Sequence, residues 1–197
     1  MWQAAGFRAK RIANTGLIPQ SGFGVAITGL SDKDLDEMRR IAEAAAGGRR
    51  KGCSLERRRL LEGDPAGELA AAPILEWAKE VRAARRRDLG ACSGEELAAF
   101  WEASRRRAPK RWADSRGPVD VVRLSLRRLG WSWPTPWTMR SDQGTGLDVR
   151  TATPKLLEWN LRQTHRRQLE QQVCKAMARR GWEGCGRAVS SMVPRRL

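Results

Sequence analysis

Several groupings have the residue types for site chemistry, and spacing decides among them. Asp32-x-Asp34-x-Asp36 with Glu43 places carboxylates at the first, third, fifth and twelfth positions of a calcium loop. Such a loop needs glycine at its sixth position for the sharp turn, and here that residue is Glu37. Calcium is therefore excluded, and the same acids suit the positively polarised first turn of a helix. His165 is the sole histidine and lies beside Arg166-Arg167 in a helical pattern, which suits a core-edge or solvated role better than catalysis. Cys53, Cys92, Cys174 and Cys185 have neither the paired spacing of a zinc knuckle nor the density of a disulfide scaffold, so they read as free thiols. Gly22-x-Gly24 and Gly144-x-Gly146 lack the third glycine of a dinucleotide loop, and no phosphate-binding G-x-x-x-x-G-K-[ST] occurs. No adjacent aspartates could hold the two metals of a polymerase. Neither catalysis, metal nor cofactor is expected.

What remains is arginine interleaved with tryptophan. The runs Arg105-Arg106-Arg107, Lys110-Arg111-Trp112, Arg127-Arg128 and Arg166-Arg167 are the candidate nucleic-acid contacts. Their cations can neutralise phosphates, and an exposed indole can stack on a base. The competing role of each run is a solvated helix face, and Trp131, Trp133 and Trp137 can equally fill a core. The collective charge favours contact. Of 197 residues, 38 are Lys or Arg and 22 Asp or Glu, for a net +16. Residues 1–102 carry 17 cations against 15 acids, whereas 103–197 carry 21 against 7, a net +14. With 31 Arg to 7 Lys, part of the load reflects GC-rich coding. Base composition does not explain its concentration in one half. RNA or single-stranded DNA is the expected partner.

The elements that must position these residues follow from periodicity and caps. Gly22 to Ile27 looks like a turn and an isolated strand, whose backbone groups would lack partners and leave the first 30 residues marginally stable. Ser31 caps a helix with Leu35, Met38, Ile41, Ala42 and Ala45 on one face, stopped by Gly47-Gly48. A short helix follows Ser54. After Asp64-Pro65, Pro73 opens a helix with Ile74, Trp77, Ala78 and Val81 inward, ending at Arg85-Arg86-Arg87. Ser93-x-x-Glu96 is a capping box. Pro118 starts another helix, closed by Gly130. Trp131, Trp133 and Trp137, split by Pro134 and Pro136, cannot be helical. A hairpin is expected around Ser141–Gly144. Thr153-Pro154 caps the longest helix, reaching about Arg180, with a near-heptad seam through Leu157, Leu161, Thr164/His165, Leu169, Val173 and Ala176/Met177.

The expected fold is mainly α: short helices, a small β-hairpin, one long C-terminal helix and an isolated N-terminal strand. Its organisation is a strand segment at 1–30, a helical region at 31–107, a basic linker at 108–117, a helix–hairpin–helix region at 118–180 and a flexible tail at 181–197. No apolar run reaches the roughly eighteen residues of a membrane span. The acid-free stretch before Asp32 has the composition of an organellar targeting peptide, but its apolar strand-like pattern and sparse serine favour a nuclear or cytoplasmic protein.

Gly117-Pro118-Val119, Leu124-Ser125-Leu126-Arg127-Arg128-Leu129-Gly130-Trp131, Asp142-Gln143-Gly144 and Pro154-Lys155-Leu156-Leu157 occur in sequence ahead of a basic helix. This series resembles the region just after the polymerase domain in reverse-transcriptase polyproteins of non-LTR (LINE-type) retrotransposons. Gly22-Phe23-Gly24-Val25-Ala26-Ile27-Thr28-Gly29-Leu30-Ser31 is similar to the palm-exit strand and helix of those proteins, with Phe23 near the place of their usual Tyr. Ser54-Leu55, Gly63-Asp64-Pro65 and Pro73-Ile74-Leu75-Glu76-Trp77-Ala78 follow in the same order. The resemblance implies a thumb-like and linker fragment, without the polymerase aspartates, that grips RNA template or nascent cDNA. Two other readings stand beside it. One is a helical interaction module, dimerising through the 154–180 seam. The other is a small basic organellar subunit with a cleaved N-terminus.

Overall fold

Side-chain caps start half of the described helices. The computed structural model describes residues 23–45, 57, 59, 60, 63, 64 and 66–179. Its helices are α1 (Val25–Thr28), α2 (Asp32–Ala45), α3 (Gly67–Arg86), α4 (Gly94–Arg107), α5 (Pro118–Arg128) and α6 (Pro154–Ala178). Between α5 and α6 lie β1 (Ser132–Thr135), β2 (Thr138–Arg140) and β3 (Gly146–Asp148). The Ser31 hydroxyl accepts the Asp34 N–H at 3.2 Å, and the Asp34 carboxylate accepts the Ser31 N–H in return. Ser93 and Glu96 form the expected capping box, at 3.2 and 2.8 Å. Thr153 accepts the Leu156 N–H at 3.2 Å, with Pro154 opening α6. Each such cap contributes about 1 kcal/mol.

Two expectations are corrected. The strand foreseen near Val25 is instead the single helical turn α1, entered through Gly24 at φ 77° and left through Gly29 at φ 64°. Its backbone groups bond locally, with Thr28 N–H to Gly24 O at 2.9 Å and Gly29 N–H to Val25 O at 2.8 Å, so no strand partner is needed. Val25 is buried, and α1 packs on α3 and α5. Secondly, α3 begins at Gly67, and Pro73 lies inside it rather than opening it. Burial of Pro73 and its neighbours in the core offsets the backbone hydrogen bond that proline cannot donate. The Trp/Pro segment, expected to be non-helical, contributes the edge strand β1 to an antiparallel sheet ordered β1-β2-β3. The register Ser132↔Arg140 and Thr135↔Thr138 leaves one extra residue in β1, a bulge that accommodates Pro134. The hairpin β2–β3 stands where expected, with Met139 opposite Leu147 and both buried.

One core joins the two halves of the chain. Ile74, Trp77, Ala78 and Val81 of α3 and Leu97 and Trp101 of α4 meet Val122 and Leu126 of α5. Trp131, Trp133, Met139, Leu147 and Val149 cover it from the sheet region, and Leu157 and Leu161 close it from α6. Trp133 meets Trp77 edge-on at 5.1 Å and Trp101 at 6.3 Å. A smaller cluster of Leu35, Ala66 and Ala70 seats α2 on the start of α3. The 108–117 segment contains a 3₁₀ turn at Trp112–Asp114 and links elements that share the main core. The expected stop at Gly47-Gly48, the start of the helix after Ser54 and the 181–197 tail lie outside the described residues. Among the described residues no helix is long and apolar enough to cross a membrane.

Candidate nucleic-acid interface

Folding divides the ten candidate contacts into internal struts and exposed cations. Arg107, at the end of α4, grips Asp120 of α5 with two parallel bonds of 3.1 and 2.9 Å. The Asp120 side chain is fully buried and also accepts the Arg116 N–H at 2.9 Å. Burial would raise the Asp120 carboxyl, but the Arg107 guanidinium, Ser104 and the Arg116 N–H together hold it below its ordinary value. Arg128 is similarly committed. Its Nε donates to Asp32 at 2.6 Å and a terminal nitrogen to Leu30 O at 2.6 Å, tying α5 to the start of α2. Its guanidinium also covers the Trp112 ring at 4.6 Å, so one face of that indole is occupied. Arg167 forms a two-bond pair with Asp142 at 2.9 and 2.6 Å, joining α6 to the hairpin loop. That pair, chiefly through the Arg167 bonds, lowers the Asp142 carboxyl to about 2.

Most of the other candidates face outward. Arg105 and Arg106 share Glu102, at 2.9 and 3.3 Å, and Arg105 also lies over Trp101. Arg166 is half-buried in its pair with Glu170 at 3.1 Å, whereas Arg111 pairs with Asp114 at 3.0 Å while remaining largely exposed. Pairs of this exposed kind contribute little stability and exchange readily for a phosphate. Lys110 and Arg127 are exposed and hold no carboxylate among the described residues. The structure therefore does not gather all ten into one free surface.

Two features escaped the sequence reading. Trp159 on α6 is 57% exposed, whereas Trp77, Trp101, Trp131 and Trp133 are buried and Trp112 and Trp137 half-buried. Its position was legible: it lies two residues from both Leu157 and Leu161, hence about 200° around the helix from that seam. Lys155, one turn earlier, is exposed, and Arg162, one turn later, makes only long contacts of 3.7 and 4.0 Å to Glu68 and Glu158. The second feature is a buried carboxylate. Asp64 accepts from Arg39 at 2.7 Å, from His165 Nε2 at 2.9 Å and from the Ala66 N–H at 3.0 Å. These donors outweigh its burial and hold it well below the usual carboxylate range. His165 is thus a core-edge histidine anchoring Asp64 to α6, a pairing over 101 residues that no local pattern reveals.

The α6 seam is already occupied. Leu157, Leu161, Thr164, Leu169 and Val173 are buried against this chain's own elements, leaving that stripe no room for a second helix. Cys92 and Cys174 are free and half-buried; Cys53 and Cys185 lie outside the described residues. Among the described residues, no group of three or more His, Cys, Asp or Glu is placed to hold a metal. Comparison with protein-family models, curated proteins and solved structures returns no match for this chain.

Proposed function

We propose that this chain is a non-catalytic module that grips single-stranded nucleic acid, as the thumb-like and linker region of a non-LTR retrotransposon reverse-transcriptase-like polyprotein. The observation that carries this reading is the charge left after internal pairing. Residues 103–179 hold 17 Lys and Arg against 6 Asp and Glu, and Lys110, Arg127, Arg140 and Lys155 have no carboxylate partner among the described residues. Trp159, between Lys155 and Arg162, adds a base-stacking surface of the kind that tolerates any sequence. Arg107, Arg128 and Arg167 act as scaffold rather than contact, holding the elements that carry the exposed cations. RNA template or cDNA is held by its backbone, and no phosphodiester bond is made here.

The test is anisotropy with a labelled single-stranded oligonucleotide across a salt series. Log affinity falls linearly with log salt, with a slope of about −0.7 per phosphate contacted. Replacing Lys110, Arg111, Arg127 and Lys155 with Ala lowers affinity and flattens that slope. Trp159→Ala weakens binding by about 1–3 kcal/mol with the slope unchanged. Binding that ignores salt, or survives all five substitutions, refutes the reading.

A further inference from the structure

A second surface has a different character from the cationic one. A cleft of about 580 Å³ opens between α3, α4 and α5, with an apolar floor that includes Pro73, Trp77, Leu97 and Val122. Two of its lining side chains, Ile27 of α1 and Phe100 of α4, are 56% and 51% exposed. Phe23, just ahead of α1, is almost wholly exposed. Large apolar side chains exposed around a single concavity are costly in water and mark a surface that is covered in use.

The charges on its walls identify the cover. Glu76 and Glu80 line the cleft from α3, while Arg107 and Arg116 line it from the α4–α5 connection. Glu76 is paired with Lys79 and Arg107 with Asp120. Glu80 and the Arg116 guanidinium have no ion-pair partner among the described residues. An apolar floor with a free acid on one wall and a free base on the other is its own complement after a half-turn. A polyanion would meet Glu76 and Glu80, and a uniformly charged protein would leave one wall unmatched.

We propose that this cleft is a two-fold homodimer interface, in which Phe100 and Ile27 of each copy enter the other's cleft and Glu80 of each pairs with Arg116 of the other. Such an interface is isologous, so every contact occurs twice. It leaves the α6 seam intact and does not depend on nucleic-acid binding. In a chain of net +16, apposition of two copies needs local acids, and α3 supplies them here.

Sedimentation equilibrium of the full chain, freed of nucleic acid, tests the proposal. The expected result is a reversible dimer whose Kd rises at least ~30-fold in Phe100→Asp. Glu80→Arg and Arg116→Glu each abolish self-association, yet an equimolar mixture of the two variants pairs, because both inter-copy contacts then join opposite charges. Phe100 is already half exposed, so unchanged circular dichroism separates lost pairing from lost folding. A photo-reactive benzoylphenylalanine at position 100 yields an adduct of twice the chain mass. A monomeric wild type, a dimer indifferent to all three substitutions, a mixture that fails to pair, or an adduct within one chain or with another protein overturns the proposal.

Discussion

Arginine has three physical uses in this protein, and the difference lies in what each guanidinium faces. At Arg107 and Arg167 the planar fork meets a carboxylate in good geometry, and at Arg128 it is shared between Asp32 and the Leu30 carbonyl, roles the point charge of lysine fills poorly. Arg123 is a third kind of case. It lies 5.1 Å from the Trp133 ring centre and 5.7 Å from that of Trp101, bonded to Ser104 Oγ and Trp101 O, so indole faces take the place of a counter-ion. Removing a strut strands a buried acid. Arg107→Ala leaves Asp120 unpaired and lowers stability by about 3 kcal/mol, whereas Arg106→Ala changes it by less than ~0.5 kcal/mol; urea unfolding compares them. The carboxylates also set the acid response. Because Asp142 is depressed to about 2 in the folded chain, the stability it contributes is complete above its unfolded value of ~4. That contribution is lost as pH falls from there through about 2. Asp64, held lower still, loses its contribution over the same range and goes on losing it at lower pH. An Asp142→Asn variant therefore has a flatter stability profile between about pH 4 and 2 than wild type; identical profiles contradict this role for the Asp142–Arg167 pair.

Among the elements, those defined by bonds within four residues were legible and those defined by packing were not. Ser31, Ser93 and Thr153 marked their helices because a capping hydroxyl and the backbone N–H it accepts lie within a single turn, and Pro118 marked its helix by pre-setting φ at the first helical position. The hairpin was likewise read from two apolar alternations around a Gly-bearing turn. α1 was misread because Gly22–Ile27 has strand-like composition, while its helical turn depends on packing at Gly29. A Cβ there would lie 2.5 Å from both the Trp112 ring and Val121 Cγ1, on top of the positive φ. Gly29→Ala accordingly costs about 2–3 kcal/mol and speeds amide exchange in Val25–Thr28. An exchange pattern like that of wild type would show that this close approach does not hold α1. β1 escaped because its prolines argue against a strand unless it lies at an edge and bulges, which only the sheet order reveals.

For the whole molecule, the charge division at residue 103 and the mechanical division do not coincide. Trp77 and Trp101 from the near-neutral half pack with Trp133, Met139 and Leu161 from the basic half. Leu161→Ala should therefore cost about 2–5 kcal/mol and shift a single cooperative transition reported equally by probes in both halves. Two separated transitions would mean that the halves fold independently. A shared core also gives the basic half a rigid platform: its cations stand on elements held by buried tryptophans and by ion pairs such as Arg128–Asp32.

The starts of α2, α4, α5 and α6, the hairpin, the charge asymmetry and the lack of known catalytic spacings were all written in the order of residues, because each depends on neighbours close along the chain or on composition. Tertiary structure decided which cations are internal. Arg107–Asp120, Arg167–Asp142 and Arg128–Asp32 span 13, 25 and 96 residues, distances over which no local pattern pairs charges. It also filled the α6 seam and opened the Phe100 cleft. Burial depends on what the rest of the chain brings to a surface, and a linear sequence does not carry that information in any local window.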